Sequence, residues 1–194
     1  MRTQIQKRTS FFILVLASLI LAACSPTGAK LPAAPAAAST LTPTPGSPDW
    51  FNIKMTDVTT GQQFSMSDFA GKVVLLESMA TWCPTCWEQE NEVKRLQGLA
   101  GSSPDLILVS LDVDTNEDAA TLKDFAATGK YAWRFAVAPV SVARALGNLY
   151  SADFLNPPLA PMLFIDRQGG VYGLPNGVKK AESLQMTLAP YLKP

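Results

Sequence analysis

Two cysteines separated by two residues, Cys83 and Cys86, stand between an apolar run and a helical pattern. The run from Val73 to Leu76 is typical of a strand that is covered on both faces. A thiol at a strand-to-helix junction faces unpaired backbone N–H groups and the positive end of the helix, which lower its pKa below about 8.5. The placement therefore predicts a reactive cysteine pair with Cys83 as the nucleophile.

Such a pair predicts exchange of a dithiol for a disulfide. The Cys83 thiolate attacks the disulfide of a partner, a mixed disulfide forms, and Cys86, one helical turn away, attacks Cys83 and releases the partner. The alternatives are a structural disulfide and half of a zinc site with four cysteine ligands. A two-residue spacer closes too small a loop to add much stability, and the chain contains no second close pair of cysteines.

Two further apolar runs, at 106–109 and 162–165, complete the predicted central sheet. Apolar residues at helical spacing predict one helix after the cysteine pair and two helices between the second and third runs, and a last helix is expected over 179–192. These residues are Val93, Leu96 and Leu99; Leu122, Phe125 and Ala126; and Val142, Ala145, Leu146 and Leu149. With a tight turn at 166–170, the order of elements indicates a compact α/β fold.

Three segments carry weaker patterns. Phe51, Ile53 and Met55 alternate with polar neighbours as in a half-buried strand, and Gly61 marks a turn after it. Residues 151–161 contain two consecutive prolines and predict an irregular loop.

The first helix after the cysteines has its own signals. Glu88, Glu90 and Glu92 come early, where acids favour the N-terminus of a helix. Gly98 and Gly101 are its predicted stops.

The absence of histidine removes the commonest general base and the commonest ligand for zinc, copper and haem. Ser-His-Asp chemistry and histidine-ligated metal sites are therefore excluded. From residue 24 onward, 13 of the 16 basic side chains remain against 16 acidic ones, a balance of −3. This charge gives no reason to expect nucleic acid as a partner.

The first 48 residues have the composition of an export signal followed by a linker. Residues 1–23 join a basic start to a 13-residue apolar stretch, which is shorter than the roughly 20 residues of a membrane-crossing helix. Residues 24–48 are rich in Ala, Pro, Ser and Thr and bury too little apolar surface to fold. We expect a signal peptide over 1–23, an extended tether over 24–48 and one folded domain over 49–194.

The end of the apolar stretch, Leu21-Ala22-Ala23-Cys24, resembles the lipobox of bacterial lipoproteins. The resemblance implies that Cys24 is lipid-modified and anchors the chain to a membrane on the extracytoplasmic face of the cell envelope. The alternative is ordinary cleavage elsewhere, which leaves Cys24 free or paired.

Residues 72–86, Lys-Val-Val-Leu-Leu-Glu-Ser-Met-Ala-Thr-Trp-Cys-Pro-Thr-Cys, resemble the TlpA/ResA-type thioredoxin-like family. Residues 57–71 resemble its N-terminal hairpin and 161–166 the segment after its cis-proline, so the resemblance covers about residues 50–192. It implies a thioredoxin-like α/β fold, with a central mixed sheet flanked by helices and an N-terminal β-hairpin extension. It also implies a thiol–disulfide oxidoreductase without a cofactor, which acts on exported protein thiols and disulfides and is served by a membrane thiol–disulfide electron donor.

The resemblance also implies roles for residues outside the cysteine pair. Glu77 matches the buried acid of thioredoxins and would accept the proton of Cys86, whereas the alternative is a solvated strand end. Pro161 would be a cis-proline beside the cysteines, with Ala160, where the family often has Thr, offering backbone hydrogen bonds to a substrate strand.

Trp82, Pro84 and Thr85 would contact the partner protein, although a tryptophan here is equally explained as packing. Met79 and Met162 are expected near the cysteines, and thiolate with thioether would suit Cu(I), so a copper-binding or copper-delivery module is the alternative function. Core packing is the ordinary role of such methionines. A peroxidase of the peroxiredoxin type is disfavoured, because the chain lacks the pattern Pro-x-x-x-Thr-x-x-Cys.

Overall fold

The computed structural model describes residues 47–101 and 103–193. Within these ranges no helix is both long and apolar enough to cross a membrane. The predicted signal peptide, Cys24 and nearly all of the predicted tether lie outside the described residues.

Strands and helices alternate along this part of the chain. The strands are β1 Met55–Thr56, β2 Gln63–Phe64, β3 Val73–Met79, β4 Leu106–Asp112, β5 Arg134–Val137, β6 Met162–Ile165 and β7 Val171–Gly173. The α-helices are α1 Pro84–Ala100, α2 Ala119–Gly129, α3 Val140–Leu149 and α4 Ala181–Leu192.

A five-stranded mixed sheet in the order β5-β4-β3-β6-β7 forms the centre of the fold. β3 pairs with β4, and β4 with β5, in parallel, whereas β6 runs antiparallel to both β3 and β7. All seven residues of β3 are buried, as its apolar run predicts. The three predicted strands and the turn between β6 and β7 are confirmed.

Side chains alternate along β3, so this strand contributes to two cores. Leu75 and Met79 belong to the core that contains the buried faces of α1, α2 and α4. Val74 and Leu76 belong to the core that contains α3 and the elements before β3. The sheet is thus covered on both faces, as the thioredoxin-like α/β fold requires, and Glu77 falls in register with Leu75 and Met79.

The segment before the hairpin does not form the strand that the alternation of Phe51, Ile53 and Met55 predicts. Residues Asp49–Asn52 form a 3₁₀ turn instead. Trp50 and Phe51 are adjacent and both buried, which a half-buried strand does not allow because its successive side chains point to opposite faces. The hairpin itself is confirmed: β1 and β2 pair antiparallel, and Gly61 supplies a φ of 74° in the turn.

The sequence patterns also miss or misplace other elements. Residues 151–161 are not irregular but form two 3₁₀ turns, Ala152–Leu155 and Pro157–Leu159. Strand β5 has four residues and begins with an arginine, and its apolar residues 135–137 are not among the predicted strands.

Two helix details also differ from the sequence predictions. Gly98 does not stop α1, which ends one residue before Gly101. Leu99 and Leu149 are exposed on their helices rather than buried in the core.

Replacing Gly98 with Ala should stabilise the protein, whereas replacing Gly129 with Ala should destabilise it. A Cβ at Gly98 meets nothing within 4 Å, and Ala is favoured over Gly in a helix by about 0.5–1 kcal/mol. A Cβ at Gly129 would collide with the ring of Tyr131, and overpacking of this kind costs about 1–3 kcal/mol. Urea unfolding measures both changes in the free energy of unfolding; the same sign for the two variants would contradict this packing.

Candidate active site

Cys83 and Cys86 form a disulfide at the N-terminus of α1, with their Cα atoms 5.2 Å apart. Cys83 is the N-cap residue, and its Sγ accepts the N–H of Cys86 at 3.1 Å. Pro84 occupies the first helical position, where its missing N–H has no partner to lose. The strand-to-helix junction inferred from sequence is therefore present, and both sulfurs lie in buried residues.

An acidic segment after β4 holds the loop that leads from β3 to the disulfide. The Glu117 carboxylate accepts the Thr81 N–H at 2.8 Å and also the Thr81 hydroxyl. The Asp114 carboxylate accepts the indole N–H of Trp82 at 2.6 Å. Trp82 is nevertheless 56% exposed, so its ring is fixed at one edge and largely exposed elsewhere.

The segment before β6 packs against the cysteine pair. The Pro157 carbonyl oxygen lies 3.5 Å from Cys86 Sγ. The carbonyl oxygen of Pro161 accepts the Ser78 N–H of β3 at 3.1 Å, which fixes this segment to the central strand.

Ala160 is fully buried and has a φ of 45°. Its N–H donates to the Pro157 carbonyl at 2.7 Å, and its carbonyl oxygen accepts the Lys179 ammonium. Both backbone groups that were expected to bind substrate are therefore used within the chain. Substrate binding through the Ala160 N–H would require its internal hydrogen bond to open, since this group has a single proton to donate.

Glu77 lies in the middle of β3 and is 1% exposed, so it does not stand at a solvated strand end. It is opposite Ser110 of β4 and Met162 of β6. Neither carboxylate oxygen has a hydrogen-bond partner among the described residues. Burial, and then the charge of Glu90, raise the pKa of Glu77 well above its ordinary value, while Lys179 acts in the opposite direction.

Glu90 is a second fully buried acid, on the face of α1 that also contains Cys86 and Val93. Burial raises the pKa of Glu90 to about 8, against the opposing effect of the Ser110 hydroxyl. The expectation that Glu90 is an acid at the helix N-terminus misses this burial. The signal was present, because stepping back from Val93 by three and by seven residues reaches Glu90 and Cys86 on one helical face.

Lys179, in the segment before α4, is a half-buried cation close to these acids. The Gln89 side chain accepts the Lys179 N–H at 2.7 Å and donates to its carbonyl oxygen at 3.1 Å. Burial lowers the pKa of Lys179 to about 8, and the charge of Glu77 opposes this change. No sequence pattern indicated Lys179, since it belongs to no motif and is distant from the cysteines along the chain.

The sequence model of the Redoxin family matches residues 28–187. The chain belongs to the Redoxin family. With a cysteine pair joined at a helix N-terminus, this redoxin is a thiol–disulfide oxidoreductase, as its sequence resemblance implied. No curated protein sequence matches it significantly.

Several solved structures share its fold. A thiol:disulfide interchange protein of the thioredoxin family from Chlorobium tepidum has 21% identity and a TM-score of 0.63, over 81% of this redoxin and 100% of that chain. A secreted Mycobacterium tuberculosis disulfide oxidoreductase, homologous to DsbE of E. coli, has 16% identity and a TM-score of 0.56, over 74% and 99%. A secreted thiol-disulfide isomerase from Corynebacterium glutamicum has 18% identity and a TM-score of 0.57, over 72% and 83%.

Met79 and Met162 are buried in the same core cluster as the two cysteines. In the described part of this redoxin, no group of three or more Cys, Asp or Glu residues could hold a metal. Both methionines fill the core, and no contact favours a copper site over this packing, so copper binding stays a prediction. Of the other predicted contact residues, Pro84 is exposed and Thr85 is half-buried at the surface above the disulfide.

The redoxin should lose stability as pH rises from about 4.5 to about 8, and Glu90→Gln should reduce that loss. Glu90 keeps its proton up to about pH 8 in the folded state, but releases it near the ordinary 4.5 when unfolded. The folded state thus binds more protons in this window, so its stability falls with rising pH. Urea unfolding at both ends of the window measures the change. Glu88→Gln, on the exposed face of α1, should leave the slope as it is; an equal slope in Glu90→Gln would contradict the assignment.

Proposed function

We propose that this redoxin is an extracytoplasmic, membrane-anchored oxidoreductase that reduces disulfides of exported proteins through Cys83 and Cys86. The observation that carries the proposal is the disulfide at the N-terminus of α1 with the acid Glu77 buried on the same side of the sheet. Helix N-terminus and amide N–H stabilise the Cys83 thiolate. The buried acid supplies a place for the proton that Cys86 must lose.

The reaction begins from the reduced pair. The Cys83 thiolate attacks one sulfur of the partner's disulfide, which breaks and leaves the other partner sulfur as a thiolate. The Cys86 thiol then gives its proton to Glu77, and its sulfur attacks Cys83 Sγ. This step forms the Cys83–Cys86 disulfide and releases the second partner sulfur as a thiolate. A membrane thiol–disulfide donor restores the dithiol.

The charges around the pair support the reducing direction. A couple is strongly oxidising when the folded site stabilises its thiolate, as in DsbA. Here Pro84 and Thr85 between the cysteines carry no charge, and the buried acids Glu77 and Glu90 oppose a nearby thiolate. A less stable thiolate favours the disulfide form of the redoxin, and therefore favours transfer of electrons to the partner.

The location rests on the N-terminal sequence and on the named neighbours. The Mycobacterium tuberculosis and Corynebacterium glutamicum proteins are both described as secreted. A signal peptide over 1–23, a lipid on Cys24 and an extended tether to residue 48 would hold the domain on the outer side of a membrane. Disulfides are stable in such compartments, so substrates for a reductase are available there.

The reduction potential of the Cys83–Cys86 couple tests the direction. We expect a value close to the roughly −270 mV of thioredoxin, because the buried acids oppose the thiolate. The measurement is equilibration against glutathione and dithiothreitol, in the full chain with Cys24→Ser so that one pair of thiols remains. A value close to about −120 mV would assign the redoxin to disulfide donation instead.

Glu77→Gln should slow release of the partner from the mixed disulfide by about tenfold or more, because an amide does not accept the Cys86 proton. Stopped-flow release of a fluorescent peptide from Cys83 measures the rate across pH. Glu88→Gln is the matched control, with the same change in charge at an exposed position of α1. A release rate for Glu77→Gln that equals the wild-type rate at every pH would remove Glu77 from the reaction.

The mature N-terminus should begin at a lipid-modified Cys24. Mass spectrometry of the protein from its native membrane measures the mass of the first peptide, and Cys24→Ser should release the domain from the membrane fraction. An unmodified Cys24 in the mature protein would contradict the anchor but leave the exchange chemistry intact.

A further inference from the structure

The fold brings two carboxyl groups together behind the disulfide. Along β3, Glu77 shares the side of Leu75 and Met79, which faces the core that contains α1. Along α1, Glu90 comes four residues after Cys86, and residues with this spacing are neighbours with Cβ atoms about 5–6 Å apart. Glu90 is thus placed next to Cys86 on the helix, and it lies close enough to Glu77 for its charge to raise the pKa of Glu77.

Neither Glu77 nor Glu90 has the solvent contact or hydrogen-bond donors that normally stabilise a carboxylate. All four carboxylate oxygens are buried and none has a hydrogen-bond partner in the described residues; the Ser110 hydroxyl lowers the pKa of Glu90 but does not offset the effect of its burial. Two like charges in one buried site cannot both be present, so the pair must retain at least one proton.

Within the described part of the chain, few other ionisable groups face the pair. Lys179 approaches from the segment before α4 and favours the charged form of Glu77. Tyr131 approaches from the segment before β5, and the charges of Glu90 and Glu77, after burial, raise its pKa, so it stays neutral. Lys94 lies over the Tyr131 ring, 5.8 Å from its centre.

Hydrogen bonds hold Lys179 in its position near the two acids. The Gln89 side chain binds both of its backbone groups, and its ammonium donates to the Ala160 carbonyl. One ammonium balances one carboxylate. The neutral arrangement of the three side chains therefore has a charged Lys179 and a single proton on the two acids.

We propose that Glu77 and Glu90 share one proton beside the Lys179 ammonium, and that this pair, rather than Glu77 alone, is the acceptor of the Cys86 proton. Glu90 is the second member of the acid, and Lys179 is a positioning residue that sets how readily the pair ionises. Acceptance of the Cys86 proton by the pair rests on the proposed function, whereas the shared proton is a property of the protein before any reaction.

The proton count follows from this arrangement. In the mixed disulfide the pair holds one proton and one negative charge. The Cys86 thiol transfers its proton to the pair, which becomes doubly protonated, and the Cys86 sulfur forms the bond to Cys83 as the partner thiolate leaves. The extra proton returns to solvent or to the departing thiolate, and the pair again holds one.

Carbon-13 NMR of the glutamate carboxyl groups, in the oxidised full chain with Cys24→Ser, tests the shared proton directly. In the wild-type protein the resonances of Glu77 and Glu90 should move together with pH, since they belong to one coupled titration. In Glu90→Gln the remaining Glu77 faces only the cation, so its midpoint should fall by about one pH unit or more. In Lys179→Met the midpoint of the pair should instead rise by a similar amount.

The exposed Glu88 of α1 provides the control for these titrations. Glu88→Gln, on the same helix but exposed, should leave both resonances unchanged. An unchanged Glu77 midpoint in Glu90→Gln, or a Glu90 resonance that titrates near its ordinary value of 4.5, would overturn the shared proton. An unchanged midpoint in Lys179→Met would remove the cation from the proposal.

A kinetic measurement links the pair to the reaction. The pH profile for release of a peptide from Cys83 should shift to lower pH in Glu90→Gln and to higher pH in Lys179→Met. If the wild-type protein exchanges no disulfides, the proposed function fails while the titration still decides the shared proton. If exchange is normal but its profile is the same in both variants, the pair is not the acceptor.

Discussion

β3 is hydrogen-bonded on both sides, to β4 in parallel and to β6 in the opposite direction, and most of the site depends on this pairing. It fixes the end of the strand, from which the chain reaches Cys83 in a few residues. It also fixes Glu77 on the side of the sheet that α1 covers. The nucleophile and the acid are therefore held by one element, and a shift of that strand would move both. The cost of placing a carboxyl in a central strand is large unless the group is neutral or a cation compensates its charge, and the Lys179 ammonium acts on Glu77 in that way.

Two opposing effects act on the sulfur of Cys83. The helix N-terminus and the Cys86 N–H stabilise a thiolate, while buried carboxyl groups behind the pair oppose it. The redox behaviour of this redoxin depends on the balance. In this arrangement the protonation state of Glu77 and Glu90 contributes to the reduction potential of the Cys83–Cys86 couple. Because two acids titrate together, this potential depends on pH more strongly than it would with a single acid. Lys179 moderates the link, because its ammonium compensates one negative charge.

Much of the fold could be predicted because its main elements are long and strongly patterned. The apolar runs of β3, β4 and β6 identify buried strands, and the cysteine pair at the end of the first run identifies the site. Short elements could not be found in this way. Strand β5 begins with an arginine, and the turn at Asp49–Asn52 buries two adjacent aromatic residues through contacts that only the folded chain supplies. Glu90 was assigned from its position in the helix, whereas its burial follows from the helical face of Cys86 and Val93. Lys179 was unpredictable, because it approaches through Gln89, and that contact joins segments 90 residues apart.

The burial of both cysteines separates two properties that are often treated as one. The equilibrium between disulfide and dithiol depends on the charges around the sulfurs, while the rate of exchange depends on how a reagent reaches them. A small thiol meets the same enclosed bond as a protein partner, whereas a partner that engaged the exposed Trp82 would gain contacts that offset the cost of opening it. Selectivity toward proteins over small thiols can thus arise from access alone, independently of the thermodynamic driving force. Substitutions in the surface around Trp82 and in the acids behind the disulfide would then change the two properties separately.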